Sequence, residues 1–143
     1  MMRALFDVNV LIALLDSQHV HHAAAHEWWS ANRVYGWASC PLTQNGFVRI
    51  VSQPRYANPI SASFALDLLG QQTVETDHTF WPDRLSLLDG DVFDRDRITG
   101  PGQLTDVYLL ALAIANGGRL ATFDRAVPVS AVRTAEARHI AFV

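Results

Sequence analysis

Met1-Met2-Arg3-Ala4-Leu5-Phe6-Asp7-Val8-Asn9-Val10-Leu11-Ile12-Ala13-Leu14-Leu15 opens the chain with an apolar run that a single aspartate interrupts. Arg3 to Asp7 reads as a strand, and Val8 to Leu15 reads as a helix entered without a linker, the first half of an α/β unit. A buried strand does not tolerate a carboxylate within itself, whereas its exposed carboxyl end does. The same grammar returns in Arg119-Leu120-Ala121-Thr122-Phe123-Asp124, again a short apolar strand running out into an aspartate. Asp106 stands in the first turn of Leu104 to Asn116, a helix apolar nearly all round and stopped by Gly117-Gly118.

Between these segments the pattern alternates. His19 to Ala31 reads as helical, Val34 to Ala38 as a second strand, and Pro41 opens a third helix that Pro54 ends. A fourth helix runs from Ser61 to Leu69 with Gly70 as its cap, and Thr73 to Glu75 reads as a short strand. Asp77 to Gln103 reads mostly as a loop with one helical turn at Pro82 to Leu87, and His139 to Val143 as a last strand. The fold class expected is α/β, with a central parallel sheet flanked by helices on both faces. Such sheets keep their sites at the carboxyl ends of the strands. Asp7 and Asp124 fall on that edge, and the positive end of a helix dipole favours an ionised Asp106 beside it.

With 143 residues, half of them apolar, the chain reads as one domain over residues 1–143. The lone cysteine, Cys40, permits no internal disulfide, and no Cys/His spacing suits zinc, so the cytoplasm is the expected compartment. The apolar stretch Val107 to Ala115 is far shorter than the ~20 residues that span a bilayer, so no membrane role is expected. A net charge of -3 excludes nucleic-acid binding by bulk positive charge. All 11 basic residues are arginine, so any cationic grip on phosphate has the planar, bidentate form.

Three carboxylates gathered over one point would raise one another's pKa unless a cation joined them. Oxygen-only ligands suit Mg²⁺ or Mn²⁺ better than zinc. Such an ion lowers the pKa of a bound water, and a pair ~4 Å apart holds both attacking and leaving oxygens of a phosphodiester.

The segments Leu5-Phe6-Asp7-Val8-Asn9-Val10-Leu11-Ile12, Leu104-Thr105-Asp106-Val107-Tyr108-Leu109-Leu110-Ala111-Leu112-Ala113 and Arg119-Leu120-Ala121-Thr122-Phe123-Asp124-Arg125 resemble, in order, the three signature segments of PIN-domain proteins. Cys40-Pro41-Leu42-Thr43-Gln44-Asn45-Gly46-Phe47-Val48-Arg49, His78-Thr79-Phe80-Trp81-Pro82-Asp83 and Ile98-Thr99-Gly100 narrow the resemblance to the VapC toxins of type II toxin-antitoxin modules, over nearly the whole chain. The resemblance implies an endoribonuclease that depends on Mg²⁺ or Mn²⁺ and cleaves structured RNA, transfer or ribosomal. It implies a homodimer, a VapB-like antitoxin, and a heterotetramer or larger assembly with it. Asp7, Asp106 and Asp124 would be the metal ligands and catalytic residues. Asn9, Thr122, Thr43, Gln44 and Asn45 would form the shell around them, and Arg49 and Arg125 would hold RNA phosphates.

One departure stands out. The wider family carries a glutamate three residues after the threonine of the third helix, and a narrower subgroup places an acid directly after it. Those positions hold Gly46 and Gln44. A replacement carboxylate from the loop, Asp83, Asp89 or Asp91, is one way to complete the site. A PIN-fold module that binds RNA or antitoxin with weakened or lost catalysis is the alternative function. His19, His21, His22 and His26 read as a solvated helix face rather than a metal site, with contact to RNA or antitoxin as an intermediate use. Trp28 and Trp29, being adjacent, are expected to split between core and an interaction surface.

Overall fold

The computed structural model describes all 143 residues. Five short strands, β1 (Ala4–Phe6), β2 (Trp37–Ser39), β3 (His78–Phe80), β4 (Arg119–Thr122) and β5 (Ile140–Phe142), pair in the order β3-β2-β1-β4-β5. Every pairing is parallel, with Leu5 set between Ala38 and Leu120. Helices α1 (Val8–Leu15), α2 (His22–Asn32), α3 (Pro41–Val51), α4 (Ala62–Glu75) and α5 (Leu104–Ala115) supply the crossovers and layers.

Alternation along the strands sorts the core into two layers. Ala4, Phe6, Trp37 and Ala121 face α1, α3 and α4, with Val10, Leu11, Phe47, Val51, Ala65 and Leu69 closing that side. Leu5, Ala38 and Leu120 face the other way, onto Val107 through Ala113 of α5. A sheet covered on both faces needs strands without polar alternation, and β1 is buried at all three positions.

The chain grows outward from β1 in one direction through β2 and β3, then crosses back to β4 and β5. The order therefore reverses between β1 and β4, and a crevice opens beyond their carboxyl ends, the usual ligand position in open parallel sheets. Asp7 and Asp124 leave the sheet on the two sides of that reversal.

Several boundaries differ from the sequence reading. The fourth helix does not stop at Gly70 but continues to Glu75. Gly70 is exposed, and Thr73 Oγ1 donates to its carbonyl at 2.7 Å, so the usual glycine cost of roughly 1 kcal/mol is absorbed within a long helix. The strand expected at Thr73 to Glu75 accordingly lies later, at His78–Phe80, inside the stretch read as loop. Pro82 to Leu87 forms no helix. Val34 is exposed and β2 begins only at Trp37, because Gly36, with φ of 73°, turns the chain out of a short 3-10 segment. No helix is long and apolar enough to cross a membrane.

Two side-chain expectations change as well. Trp28 and Trp29 both pack edge-on against the Phe6 ring, at centroid distances of 6.1 and 5.8 Å, so they share one partner rather than dividing between core and surface. His22 and His26 are neither idle nor paired on a ligand. His22 Nδ1 lies 2.7 Å from the carbonyl of Ala13 and His26 Nε2 lies 3.0 Å from that of Leu14, which satisfies two open carbonyls at the end of α1.

Candidate active site

Asp7 is the N-cap of α1, and both its carboxylate oxygens are occupied. Oδ1 accepts from the Asn9 backbone N–H at 3.4 Å, and Oδ2 accepts from the Thr122 hydroxyl at 2.8 Å. The Asp7 N–H in turn donates to the Ala121 carbonyl, which extends the β1–β4 ladder to the edge. Asp7 is buried, and burial raises its pKa against the lowering effect of these hydrogen bonds, with the charge of Asp124 adding to the rise.

Asp124 lies two residues beyond β4. Its N–H donates to Thr122 Oγ1 at 3.0 Å, and its Oδ1 accepts from the Ala126 N–H at 2.8 Å, a turn that fixes the carboxylate over the strand end. Thr122 is fully buried and links the two acids, receiving from Asp124 and giving to Asp7. Asp106 enters from the other layer, in the first turn of α5. Burial, and then the charges of Asp7 and Asp124, push its pKa up to about 7. The charges of the three aspartates thus act on one another.

A pocket of about 260 Å³ opens against Asp7 and Asp106, with Asn9, Gly46, Arg49 and Gly102 among its walls, and Asp124 lies outside it. Asn9 reaches it as a wall residue, while its bond to Asp7 comes from the backbone. Arg49 is exposed and takes part in none of the four ion pairs of the chain. Arg125 stands on the Asp124 side with its guanidinium 4.8 Å over the Phe142 ring. Gly102, in the 3-10 turn Pro101–Gln103 that leads into α5, is also a wall of the pocket. A glycine immediately before a helix bearing an acid was the available signal for it.

The other expected shell residues lie elsewhere. Thr43 is buried and exchanges hydrogen bonds with the backbone N–H and carbonyl of Cys40 at the start of α3. Gln44 Nε2 donates to Ser39 Oγ at 2.9 Å, and Ser39 Oγ bonds His78 Nε2 at 2.7 Å, so the amide serves a polar chain at the ends of β2 and β3. Asn45 is exposed and does not line the pocket. Of the loop acids, Asp83 accepts from the Leu42 N–H at 3.0 Å and Asp89 from the Asp91 N–H at 2.9 Å. Asp83, Asp89 and Asp91 are all absent from the pocket wall.

The place of the family's α3 acid is closed by packing. Gly46 looks into the pocket, and a Cβ built there would stand 2.8 Å from Val8 Cγ2. Valine is stiff at χ1, so α1 and α3 approach closely here only because residue 46 has no side chain.

The donor types suit a hard divalent cation, three carboxylates that offer oxygen only, and burial followed by the charges of the neighbouring acids pushes Asp106 up to about 7. It is not a ready-made cage, since no three acid, imidazole or thiol groups close into a coordination shell. Magnesium retains several waters and does not require a closed protein cage.

A PIN-domain family model matches residues 4–132, which include all three aspartates. Among curated proteins, Ribonuclease VapC44 of Mycobacterium tuberculosis (strain H37Rv) is 53% identical over 140 residues, covering 98% of this chain and 99% of that protein. Ribonuclease VapC39 of the same strain is 46% identical over 132 residues, covering 91% and 94% of the two chains. Ribonuclease VapC38 is 44% identical over 125 residues, covering 87% and 86%.

Proposed function

Since the chain belongs to the PIN-domain family and, within it, to the VapC ribonucleases, we propose that it is an endoribonuclease dependent on Mg²⁺ or Mn²⁺, the toxin half of a VapBC-type module. Its substrate is structured RNA, transfer or ribosomal, cut where unpaired nucleotides are accessible. Its partner is a VapB-like antitoxin, and its working unit is a homodimer that forms a heterotetramer or larger assembly with that antitoxin.

The observation that carries this reading is the approach of Asp106 to Asp7 and Asp124 from the other layer of the fold, where burial and then the charges of those two acids raise the pKa of Asp106. When bound, a divalent cation supplies Lewis acidity toward phosphate and lowers the pKa of a water. The three carboxylates are the residues that would hold it. Thr122 and the Asn9 N–H fix the orientation of Asp7, and the Ala126 N–H does so for Asp124. Asp106, pushed up to about 7 in the free chain by burial and the neighbouring acids, would be held in its ionised form by a cation in the pocket. Hydrolysis consumes one water: its oxygen bonds to phosphorus, the bond from phosphorus to one ribose oxygen breaks, one proton leaves the water and one joins that ribose oxygen.

Mapping of RNA ends after incubation of total RNA with the purified protein tests the reading. Discrete new ends that require Mg²⁺ or Mn²⁺ and vanish with EDTA support it, and identical ends in EDTA contradict it. One observation favours a second reading, a PIN-fold module that binds RNA or antitoxin with weakened catalysis. Helix α3 brings no acid to the pocket, because Gly46 packs on Val8 and Gln44 is bonded to Ser39. Multiple-turnover cleavage decides between the two.

A further inference from the structure

We infer that Arg49 is a catalytic residue whose guanidinium binds the non-bridging oxygens of the scissile phosphodiester, and that each site accordingly takes one divalent cation rather than two. This rests on the ribonuclease reading.

Helix α3 lines the pocket with Leu42, Gly46, Arg49 and Ile50, of which Arg49 alone carries a charge. Gly46 cannot be replaced by an acid without driving its Cβ into Val8. No other acid takes up the missing place, because Asp83 is held by the Leu42 N–H and neither it, Asp89 nor Asp91 reaches the pocket. A second cation would therefore find no ligand on this wall. What the wall offers is positive charge, from an arginine that shares the pocket with Asp7 and Asp106 but forms no ion pair with either.

A guanidinium left unpaired opposite carboxylates has its planar donors free for an incoming phosphate. Arg125 is placed differently, stacked over Phe142 outside this pocket, so the two arginines divide the work. Arg125 serves the rim and Arg49 the reacting group. As water adds to phosphorus and the bond to the departing ribose oxygen breaks, its electron pair goes to that oxygen, and negative charge gathers on the non-bridging oxygens. Arg49 keeps its own protons through the step and balances that charge from the α3 wall of the pocket.

The test joins a binding and a kinetic measurement on the full chain. Calorimetric titration with Mn²⁺ alone is expected to give one ion per chain for the wild type and for Arg49→Ala, with affinities within about 3-fold. Single-turnover cleavage by Arg49→Ala is expected to fall about 10²- to 10³-fold, the usual cost of losing one transition-state donor. RNA affinity, measured on each protein in EDTA, should fall far less. Arg49→Lys should recover part of the rate, as a point charge without the bidentate fork.

Two Mn²⁺ per chain, or cleavage by Arg49→Ala at the wild-type rate, overturns the inference and leaves the ribonuclease reading intact. Loss of Mn²⁺ binding in Arg49→Ala also overturns it, by showing a structural role. A wild-type protein that cleaves no RNA in Mn²⁺ overturns the inference and the reading together.

Discussion

The hydroxyl of Thr122 donates to Asp7 Oδ2 at 2.8 Å, joining the ends of two neighbouring parallel strands that are 115 residues apart in the chain. The same oxygen accepts the Asp124 N–H, so one buried threonine sets the position of two acids from two chain segments. Thr122→Val keeps the shape and removes both bonds. Loss of a buried hydrogen bond to a charged group costs about 1.5–3 kcal/mol, read by urea denaturation. Mn²⁺ affinity should weaken about 10- to 100-fold, as for the loss of other residues that orient metal ligands.

Burial, reinforced by the neighbouring acids, gives the metal-free protein a pH dependence opposite to that of an ordinary salt-bridged carboxylate. Asp106 is raised to about 7 in the folded state, and Asp7 is raised as well, against an unfolded value of about 3.9. Between these limits the folded chain holds more protons than the unfolded one, so the contribution of these groups to stability falls as pH rises through the window. The Tm in EDTA, after subtraction of the Asp106→Asn curve, should decline from about pH 4 to 7. At pH 7.5, Asp106→Asn should melt higher than the wild type without metal. Saturating Mn²⁺ should reverse that order.

Gly46 is required by the approach of α3 to α1. Gly46→Ala should cost about 1–3 kcal/mol, the range for an overpacked contact. Val8→Ala in the same chain should recover part of that loss, giving a coupling energy in a double-mutant cycle by urea denaturation. Additive effects would show that the two helices do not meet through these side chains.

The histidines of α2 act on α1. His22→Ala and His26→Ala should each destabilise by about 0.5–1.5 kcal/mol through the loss of a hydrogen bond to a carbonyl at the end of α1. Amide hydrogen exchange should quicken at the carboxyl end of α1, while Mn²⁺ affinity stays unchanged.

Much of this arrangement was legible because strand ends and helix starts punctuate themselves. Asp7 broke an apolar run, and the helix behind it matches Val8–Leu15 in full. Leu104 to Asn116 was equally plain, since an all-round apolar helix between a glycine-rich segment and a positive-φ Gly117 leaves little choice. Gly70 misled because an exposed glycine inside a helix and one at its end look alike in sequence, and only the packing of Leu69 and Ala65 separates them. His78–Phe80 was missed because an edge strand needs no apolar alternation, and its residues are half-buried or exposed.

At the site, the aspartates stood out as strand-end and helix-start acids, and Thr122 entered only through the family resemblance. Residue types could not carry side-chain direction. Gln44 and Asn45 sit in the right segment, yet helix rotation sends the glutamine to Ser39 and leaves the asparagine in solvent. Gly46 reads in sequence as an absence, and only the distance to Val8 makes it a requirement.

The rate of RNA cleavage as a function of Mn²⁺ concentration, compared between wild type and Asp7→Asn, bears most directly on the role of the aspartate cluster. A saturable metal dependence in the wild type, with a loss of at least about 10²-fold in Asp7→Asn at saturating Mn²⁺ and an unchanged circular dichroism spectrum, is the expected outcome. Cleavage that proceeds at full rate in EDTA, or that survives Asp7→Asn undiminished, would show that the chemistry lies elsewhere in the molecule.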